Sequence, residues 1–368
     1  MLRRALFQLH LWTGIAAGVY VFVVCATGAA LVFRIEMQRA TYPHLFAPSA
    51  TGSLADPVTI MEHVQAAYPD GRLSGVDAPT TARPTYLAYV LTGPRFLTVL
   101  VDPASAQVLG LLPEQSWIRT LQDLHFDLLA GGTGRMVNGI GALLLLAMCV
   151  TGLVIWWPGV AQWKRGFTVD LQRSWRRVNW ELHRALGIWT LAFTAMWAVT
   201  GAYFAFPAPF RSLVNLVSPI SAVRTPESDT ATNSASAPRW QVLIDAARRV
   251  VPGQSVARIV VPSSSRAPFV VMFSSESPTP VGAELIPVYL NQHTGAVLRE
   301  PRHQPRTAGN AAIAWIAPLH MGTFGGPEVR AAWLLLGLAP PLLFVTGFAM
   351  WWVRVVRPQR AARSSEIL

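Results

Sequence analysis

The sequence predicts a membrane all-α protein, in which a four-helix transmembrane bundle is built from two tandem repeats and carries two small α+β modules outside the membrane. The composition is 52% hydrophobic and only 13% charged, which is about half the charged share of a soluble domain. The apolar residues gather in four runs, each long enough to cross a hydrocarbon core of about 30 Å at about 1.5 Å per helical residue. The four predicted helices cover residues 10–33, 136–157, 183–206 and 331–353.

Two sequence patterns occur once in each half of the chain, and they predict the duplication. The first opens with Leu-His and has Gly 4 residues after the histidine and Thr-Gly at 17 and 18. The second opens with Leu-His and has Arg at 10, Thr-Gly at 26 and 27, and Trp-Trp at 31 and 32. The first pattern comprises His10, Gly14, Thr27 and Gly28, and again His183, Gly187, Thr200 and Gly201; the second comprises His125, Arg135, Thr151 and Gly152, and again His320, Arg330, Thr346 and Gly347.

The first apolar run resembles a secretory signal peptide, because Arg3 and Arg4 precede it and small residues lie near its end. The apolar region of a cleaved signal peptide usually has about 7–15 residues, and this run is longer. Its pattern also recurs internally at His183, where no signal peptide can lie. We therefore expect a retained transmembrane helix.

Basic residues concentrate beside the predicted helices, before the first, between the second and third, and after the fourth. By the positive-inside rule these segments are cytoplasmic, as are both termini, which predicts a multi-pass protein of the bacterial inner membrane. The net charge of +11 is explained in this way and does not indicate nucleic-acid binding. The predicted segments are helix 1 in 1–34, a periplasmic module in 35–124, an outer histidine segment and helix 2 in 125–157, a cytoplasmic loop in 158–182, helix 3 in 183–206, a second periplasmic module in 207–319, an outer histidine segment and helix 4 in 320–354, and a cytoplasmic tail in 355–368.

Each periplasmic segment has the pattern of a helix followed by short strands. Helical periodicity covers 57–68 and 240–251, and each helix ends at a Pro-containing turn. Strand patterns follow at 85–90 and 96–101 in the first module, and at 255–261, 269–273 and 285–290 in the second. Residues 211–239 are rich in Ser, Thr, Ala and Pro, which predicts a linker. Pro340 and Pro341 predict a kink in helix 4.

The four Leu-His histidines are the strongest candidates for a functional site. Parallel repeats related by a pseudo-two-fold axis would place His10 and His183 face to face at the inner side of the bundle. The same symmetry would pair His125 with His320 at the outer side. Two imidazoles across a bundle axis are what a bis-histidine haem iron requires, and four-helix bundles commonly hold such cofactors. We therefore predict two b-type haems.

The neighbouring residues fit this hypothesis but also have structural explanations. Gly14 and Gly187 would leave room for a porphyrin, and the Thr-Gly pairs place Gly152 and Gly347 near the inner histidines and Gly28 and Gly201 near the outer ones. Arg135 and Arg330 could pair with haem propionates, as could Arg184 on the inner side. Small residues in membrane helices more often serve helix packing, however, and interfacial arginines more often serve as anchors.

Other residue types point to no additional chemistry. Cys25 and Cys149 form no C-x-x-C motif, so neither a disulfide framework nor a covalent c-type haem is predicted. His63, His293 and His303 are expected to be ordinary surface residues, while His44 is close enough to helix 1 to contact a substrate or metal. There is no dinucleotide- or phosphate-binding motif, and the cytoplasmic segments are too short for a nucleotide-binding domain.

The Leu-His openings, the Thr-Gly followed by Trp-Trp in helices 2 and 4, and the segment Asp-Pro-Ala-Ser-Ala-Gln-Val-Leu resemble the PepSY-associated transmembrane family. This resemblance covers nearly the whole chain and implies PepSY-like modules. The functional group it resembles most is the inner-membrane ferric-siderophore reductases. It implies haem ligation by His10 with His183 and by His125 with His320. The segment that begins at Asp102-Pro103 begins at Asn291-Gln292 in the second module, which suggests unequal use of the two modules.

The predicted function is therefore that of a haem-dependent oxidoreductase, a ferric-siderophore or ferric-chelate reductase that converts Fe(III) to Fe(II) on the periplasmic side. Its expected partners are the ferric chelate, a quinol or redox-protein electron donor and the lipid bilayer, with no nucleic acid. Two alternatives remain open. One is a haem-free regulatory or binding protein of PepSY type, and the other is an iron permease, which the scarcity of intramembrane carboxylates disfavours.

Overall fold

The computed structural model describes residues 1–48, 52–157, 159, 162–220, 225–229, 239–279, 282–299 and 307–356. His303, most of the predicted tail and much of the predicted linker lie outside these residues. The first half of the chain leads from one long apolar helix, through a mixed segment, to a second. Its elements are α1 (Leu2–Leu31), α2 (Arg34–Thr41), α3 (Pro43–Phe46), α4 (Pro57–Ala67), β1 (Arg72–Asp77), β2 (Tyr86–Thr92), β3 (Arg95–Val101), β4 (Val108–Leu112), α5 (Trp117–Asp127) and α6 (Gly131–Trp156).

The second half follows a similar order. Helix α8 lies in part where the sequence predicted a linker, and its Pro207 occupies the first turn, where proline is well tolerated. A 3-10 turn at Trp163–Phe167 precedes the first helix of this second half, and a π-helical turn at Trp352–Val356 follows its last helix. Its elements are α7 (Trp175–Ala205), α8 (Pro207–Val217), α9 (Trp240–Val250), β5 (Ser255–Val260), β6 (Phe269–Thr279), β7 (Gly282–Leu290), β8 (Val297–Arg299), α10 (Ala308–Met321), α11 (Pro327–Gly337) and α12 (Ala339–Trp351).

Among the described residues, four helices are long and apolar enough to cross a membrane: α1, α6, α7, and the segment Pro327–Val355 that contains α11 and α12. Helices α1 and α7 each pack against both α6 and α12, so that the four form a closed bundle. The prediction of a membrane protein with four spanning helices is confirmed. The helices α1 and α7 begin about two turns earlier than predicted, so His10 and His183 lie within them rather than at their starts.

The interior of this bundle is made of small residues. The buried residues of α7 include Ala185, Thr190, Thr194, Ala198 and Ala202. Large apolar side chains point outward, as in Val150, Leu335 and Leu342, which are 59%, 70% and 52% exposed. Small residues inside and large apolar residues outside are typical of membrane helices, because lipid already solvates the large side chains.

The fourth spanning segment is interrupted at Leu338, between α11 and α12. Pro340 and Pro341 lie in the first turn of α12. Proline has no backbone N–H and its ring collides with the preceding turn, so a helix cannot continue unbroken through such a pair. The interruption therefore occurs where the sequence predicted a kink.

The β-strands require a correction to the predicted fold class. They form one eight-stranded antiparallel sheet in the order β4-β3-β2-β1-β5-β6-β7-β8, instead of two separate small modules. Strand β1, which the sequence did not predict, pairs with β5 and joins the two sets of four strands. The label all-α is therefore wrong for the chain as a whole. The chain forms two compact units. One consists of Phe33–Ile118 and Pro219–Asn310 and contains the sheet, and the other contains the four spanning helices.

The sheet has a hydrophobic core on one face, where α4 and α9 contribute fully buried residues such as Ile60, Val64 and Ile244. On the other face, Leu45 and Phe46 of α3 pack against Leu100. Alternation of buried side chains along β2 places Tyr86, Ala88 and Val90 in the core.

An ion pair connects the central strands β1 and β5. Asp77 and Arg258 lie opposite each other in the register, and the Arg258 guanidinium donates to both Asp77 carboxylate oxygens at 2.5 and 2.8 Å. The hydroxyl of Tyr89 donates to the same carboxylate at 2.9 Å. Because Asp77 is only 7% exposed, these three donors compensate for the desolvation of its charge.

Asp102 and Asn291, where the two sets of strands differ in sequence, form equivalent turns. The Oδ1 of Asp102 accepts from the backbone N–H groups of Ala104 and Ser105, and the Oδ1 of Asn291 from those of His293 and Thr294. Carboxylate and amide oxygens both serve as acceptors in such turns. This difference in sequence therefore leaves the local structure unchanged.

Candidate functional site

The four Leu-His histidines all lie in the unit that contains the spanning helices, and all are half-buried. His10 is on α1 and His183 is on α7, within the spans. His125 is near the end of α5, and His320 is near the end of α10, so each lies on a short helix that precedes a span. The sequence predicted that His125 and His320 precede spans, but it predicted neither short helix and placed His10 and His183 at the starts of their spans.

Each histidine contacts the threonine of a Thr-Gly pair on a spanning helix. Nδ1 of His10 lies 3.0 Å from Thr151 Oγ1, and Nδ1 of His183 lies 2.9 Å from Thr346 Oγ1. On the other two helices, Nδ1 of His320 lies 2.8 Å from Thr200 Oγ1. The same nitrogen atom is used in each case, which leaves Nε2 free for another partner.

His125 has a different arrangement around Nδ1. Thr27 Oγ1 is 3.4 Å away, whereas the backbone carbonyl oxygen of Val24 is 2.9 Å away. The carbonyl is therefore the closer acceptor at this histidine. The Nε2 atom is again not engaged by either partner.

The glycine of each Thr-Gly pair lies against the same imidazole ring. A Cβ atom at Gly28 would come within 2.6 Å of His125 Cε1, and one at Gly347 within 3.2 Å of His183 Cε1. The corresponding distances are 3.3 Å from Gly152 to His10 and 3.8 Å from Gly201 to His320. The sequence predicted that these glycines lie level with the histidines, as small residues of the haem sites. The contacts show that they make room for the imidazoles, which lie directly against the helix backbone.

The rings of His125 and His320 are neighbours, with centroids 6.2 Å apart and planes inclined by 44°. Metal–imidazole bonds are about 2 Å long, so one metal ion between two Nε2 atoms places the ring centroids about 6 Å apart. The observed separation therefore fits a shared metal.

Burial lowers the pKa of both His125 and His320, because it disfavours the charged imidazolium. The proximity of His125 lowers the pKa of His320 further. Neutral imidazole is the form that binds metals. Both rings are therefore held in the form that ligation requires.

Side chains from the spans hold the backbone at the outer pair of histidines. Asn138 Nδ2 on α6 donates to the carbonyl of His125 at 2.6 Å, and Tyr20 donates to Asn138 Oδ1 at 2.6 Å. On the other side, Trp197 Nε1 on α7 donates to the carbonyl of His320 at 3.1 Å. These residues were not predicted, because nothing in their spacing distinguishes them from packing residues.

A tight connection joins α5 to α6 just after His125. Leu128 and Leu129 both have positive φ angles, of 53° and 61°, and Gly131 follows with 55°. A Cβ atom at Gly134 would lie 1.6 Å from the carbonyl oxygen of Asp127. Only glycine permits this approach, so the Gly-rich stretch allows α5 to fold back onto α6 and fixes the position of His125.

The remaining predicted site residues have other surroundings. Near Gly14 the closest atom to an added Cβ is Met148 Cε at 3.3 Å, and near Gly187 it is Leu343 Cδ2 at 3.7 Å. Arg135 is exposed. The guanidinium of Arg330 donates to the carbonyl of Val32 at the end of α1, at 2.5 and 3.2 Å.

Arg184 is engaged by the segment that precedes α7. Its guanidinium donates to the carbonyls of Arg165 and Thr168 and lies 4.7 Å above the ring of Trp180. Arg177 lies 4.5 Å from the same ring and pairs with the buried Glu181 at 2.7 Å. The contacts of Arg184 hold the segment that contains Arg165 and Thr168 against α7.

The other described histidines lie in the sheet unit. His44 is exposed on α3. His63 Nδ1 contacts the carbonyl of Ala106 at 3.0 Å, and His293 Nε2 contacts that of Ser265 at 2.9 Å. Both therefore make contacts within the sheet unit.

The two histidine pairs offer a limited ligand set. Across the described ranges there is no group of three or more His, Cys, Asp or Glu residues that could hold a metal ion. Two imidazoles are too few for a structural transition-metal site built from protein ligands alone, which usually has four. They are the number that an iron requires when a porphyrin supplies four further nitrogen atoms. The residues present therefore fit a haem better than a bare metal ion.

Comparison with known protein families gives one result for the whole chain. The family described as the PepSY-associated TM region matches residues 7–354, a range that includes all four Leu-His histidines, the whole of the second and third spans and most of the first and fourth. No curated protein matches the chain.

Proposed function

This chain belongs to the PepSY-associated transmembrane family, and on that premise we propose that it is a di-haem electron-transfer protein. In this proposal it arises from a tandem duplication and lies in the bacterial inner membrane, with both termini in the cytoplasm. Its activity is the reduction of a ferric siderophore, or another ferric chelate, from Fe(III) to Fe(II) on the periplasmic side.

The observation that carries this proposal is the arrangement of the four histidines. Each of them presents Nδ1 to a hydroxyl or carbonyl oxygen of a neighbouring helix, and each lies against a glycine. The centroid separation of 6.2 Å between His125 and His320 agrees with two ligands of one iron. Four unrelated packing histidines have no reason to share this environment.

In this proposal, His10 and His183 hold one haem b and His125 and His320 hold the other. When bound, each haem supplies one-electron chemistry between Fe(III) and Fe(II). The protein supplies oriented imidazoles, an interior of small residues between the four helices, and apolar surroundings. The glycines of the Thr-Gly pairs set how closely each ring approaches the helix that carries its hydrogen-bond partner.

The proposed electron donor is a quinol or a redox protein, because the sequence has no nucleotide-binding motif. The proposed acceptor is a ferric siderophore, since Fe(II) is bound more weakly than Fe(III) by hard oxygen ligands and is released on reduction. In this proposal electrons leave the protein on the periplasmic side, to which the positive-inside rule assigns the long segments between the first and second and between the third and fourth spans.

The first experiment is an absorbance spectrum of the full-length protein purified in detergent. We expect a Soret band that shifts on addition of dithionite, with two haems per chain. His10→Ala and His125→Ala should each lose one haem, and His44→Ala, which removes an exposed histidine of the sheet unit, should lose none.

The outcome also separates the alternatives. Absence of a Soret band in protein prepared with haem available would refute the proposal and favour a haem-free regulatory protein or a permease. Loss of both haems, or of neither, in a single-histidine variant would contradict the assignment of two independent pairs.

A second experiment tests the acceptor. The dithionite-reduced protein is freed of excess reductant and mixed with a ferric siderophore, while Fe(II) is trapped by a coloured chelator. We expect reoxidation of the haem spectrum together with formation of about one Fe(II) per electron lost. Reoxidation without Fe(II) would refute ferric-chelate reduction while leaving the haem assignment intact.

A further inference from the structure

We infer that the threonines of the Thr-Gly pairs fix the tautomer of the ligand histidines, with Thr200 acting alone at His320, whereas at His125 the closer Val24 carbonyl sets the tautomer. This inference rests on the proposed function, since it concerns the imidazole nitrogen that would bind iron. It assigns a positioning role to Thr151, Thr200 and Thr346, and a dispensable role to Thr27.

The first step concerns the proton of each threonine hydroxyl. Thr151 Oγ1 donates to the carbonyl of Ala147 at 2.9 Å, and Thr346 Oγ1 donates to that of Leu342 at 2.9 Å. Thr200 Oγ1 donates in the same way to the carbonyl of Met196 at 2.8 Å. A carbonyl oxygen can only accept, so the single hydroxyl proton is already committed in each case.

The second step follows for the imidazole. A hydroxyl whose proton is committed can only accept from a further polar neighbour. The Nδ1 atoms of His10, His183 and His320 lie 2.8–3.0 Å from these oxygens, and they must therefore carry the proton. In a neutral imidazole this leaves the lone pair on Nε2. At His10 and His183 the backbone of Met148 and Leu343 also accepts a hydrogen bond, so the threonine acts without a backbone acceptor at His320, which is why Thr200 is chosen for the test.

His125 reaches the same tautomer by another route. Its Nδ1 lies 2.9 Å from the Val24 carbonyl and 3.4 Å from Thr27 Oγ1. The carbonyl can only accept, so the proton again lies on Nδ1 without help from the hydroxyl. Removing the Thr27 hydroxyl therefore leaves the main acceptor in place.

The hydrogen bond on Nδ1 should influence the iron as well as the tautomer. Donation from Nδ1–H makes an imidazole more basic at Nε2, and outer partners of this kind are typically worth about 10- to 100-fold in metal affinity. Losing the bond should weaken ligation of Fe(III) more than that of Fe(II), because the more charged ion benefits more from a basic ligand. A tenfold relative change corresponds to a rise of about 59 mV in a one-electron potential.

The test compares Thr200→Val and Thr27→Val, which affect the two ligands of the same haem. Valine keeps the branched shape and removes only the hydroxyl oxygen. Thr190→Val is the matched control, because Thr190 is buried on α7 and donates to the carbonyl of Leu186 in the same way but contacts no ligand histidine. Haem content and the two reduction potentials are measured on full-length protein by titration of the haem absorbance.

We expect Thr200→Val to raise the reduction potential of one haem by about 59 mV, which corresponds to a tenfold change in the relative affinity for Fe(III) and Fe(II). Thr200→Ser should restore the wild-type potential. Thr27→Val and Thr190→Val should leave both potentials unchanged. If Thr200→Val loses the haem altogether, restoration by serine still supports the inference, and loss in the serine variant as well overturns it.

Two further outcomes would overturn the inference. One is an unchanged potential in Thr200→Val at full haem content, which leaves the proposed di-haem function standing. The other is a shift in Thr27→Val as large as that in Thr200→Val. Failure of the proposed function gives a different result, namely absence of haem from the wild-type protein.

Discussion

Replacement of Gly28 by alanine should disrupt the His125–His320 pair, whereas the same change at Gly201 should not. The two glycines occupy equivalent positions beside the two histidines of one pair. An added Cβ would lie 2.6 Å from His125 Cε1 at Gly28 but 3.8 Å from His320 Cε1 at Gly201. Carbon atoms in contact lie about 3.5–4.0 Å apart, so only the first substitution forces the ring to move.

The size of the effect follows from these distances. Relative to a contact of about 3.5 Å, the His125 ring must retreat by about 0.9 Å. A retreat of that size stretches the 2.9 Å contact between Nδ1 and the Val24 carbonyl beyond the usual hydrogen-bonding limit of about 3.2 Å. Overpacking costs about 1–3 kcal/mol and the lost hydrogen bond about 1 kcal/mol. The higher helix propensity of alanine offsets only about 1 kcal/mol.

The assay is thermal unfolding of the full-length protein in detergent, combined with the ratio of haem absorbance to protein. Gly28→Ala should lower the unfolding midpoint and reduce haem content, and Gly201→Ala should leave both unchanged or raise the midpoint slightly. A normal midpoint and haem content in Gly28→Ala, or equal losses in both variants, would refute the steric explanation.

Three further predictions concern other contacts. Asn138→Leu removes the donor to the His125 carbonyl and should lower haem content in purified protein by loss from that pair; unchanged content would contradict a positioning role. Asp77→Asn removes the charge that Arg258 pairs with across the β1–β5 seam, and it should destabilise the sheet by about 1–3 kcal/mol, measured as faster hydrogen exchange of β1 and β5 amides than in wild type. Burial first, and then nearby acidic charge, raises the pKa of Tyr86 from 10.0 to about 12. The folded state therefore favours the neutral phenol, so the stability that Tyr86 contributes is present below pH 10 and is lost between pH 10 and about 12. In Tyr86→Phe the free energy of unfolding should fall less steeply with pH in that range. An unchanged slope would contradict this assignment.

The sequence singled out the four histidines because a pattern that occurs in both halves of the chain can be distinguished from ordinary variation. A single histidine near a membrane interface carries little information, but His10 and His183 share their offsets to Gly and Thr-Gly. The contacts of the Thr-Gly pairs could not be predicted in detail. Whether Gly28 makes room for a cofactor or for an imidazole depends on the side-chain positions of another helix, which hydropathy does not determine.

The pairing of strands in the sheet could not be predicted from the sequence. The helix and strand patterns of the two segments between the spans were largely recognisable, because alternation of apolar residues is a local property. The pairing of β1 with β5 joins residues more than 180 positions apart, and no local signal specifies it. Two separate modules were therefore predicted where one continuous sheet exists.

The sequence by itself determined that the chain has four segments long and apolar enough to cross a membrane and which four histidines repeat, because hydrophobic length and residue spacing are properties of the linear chain. The tertiary structure alone decided that each histidine is held through Nδ1 by a residue of another helix, with Val24 taking the place of Thr27 at His125. It also decided that the two sets of strands form one sheet. These features depend on contacts between distant residues, where differences of a few tenths of an ångström select the hydrogen-bond partner.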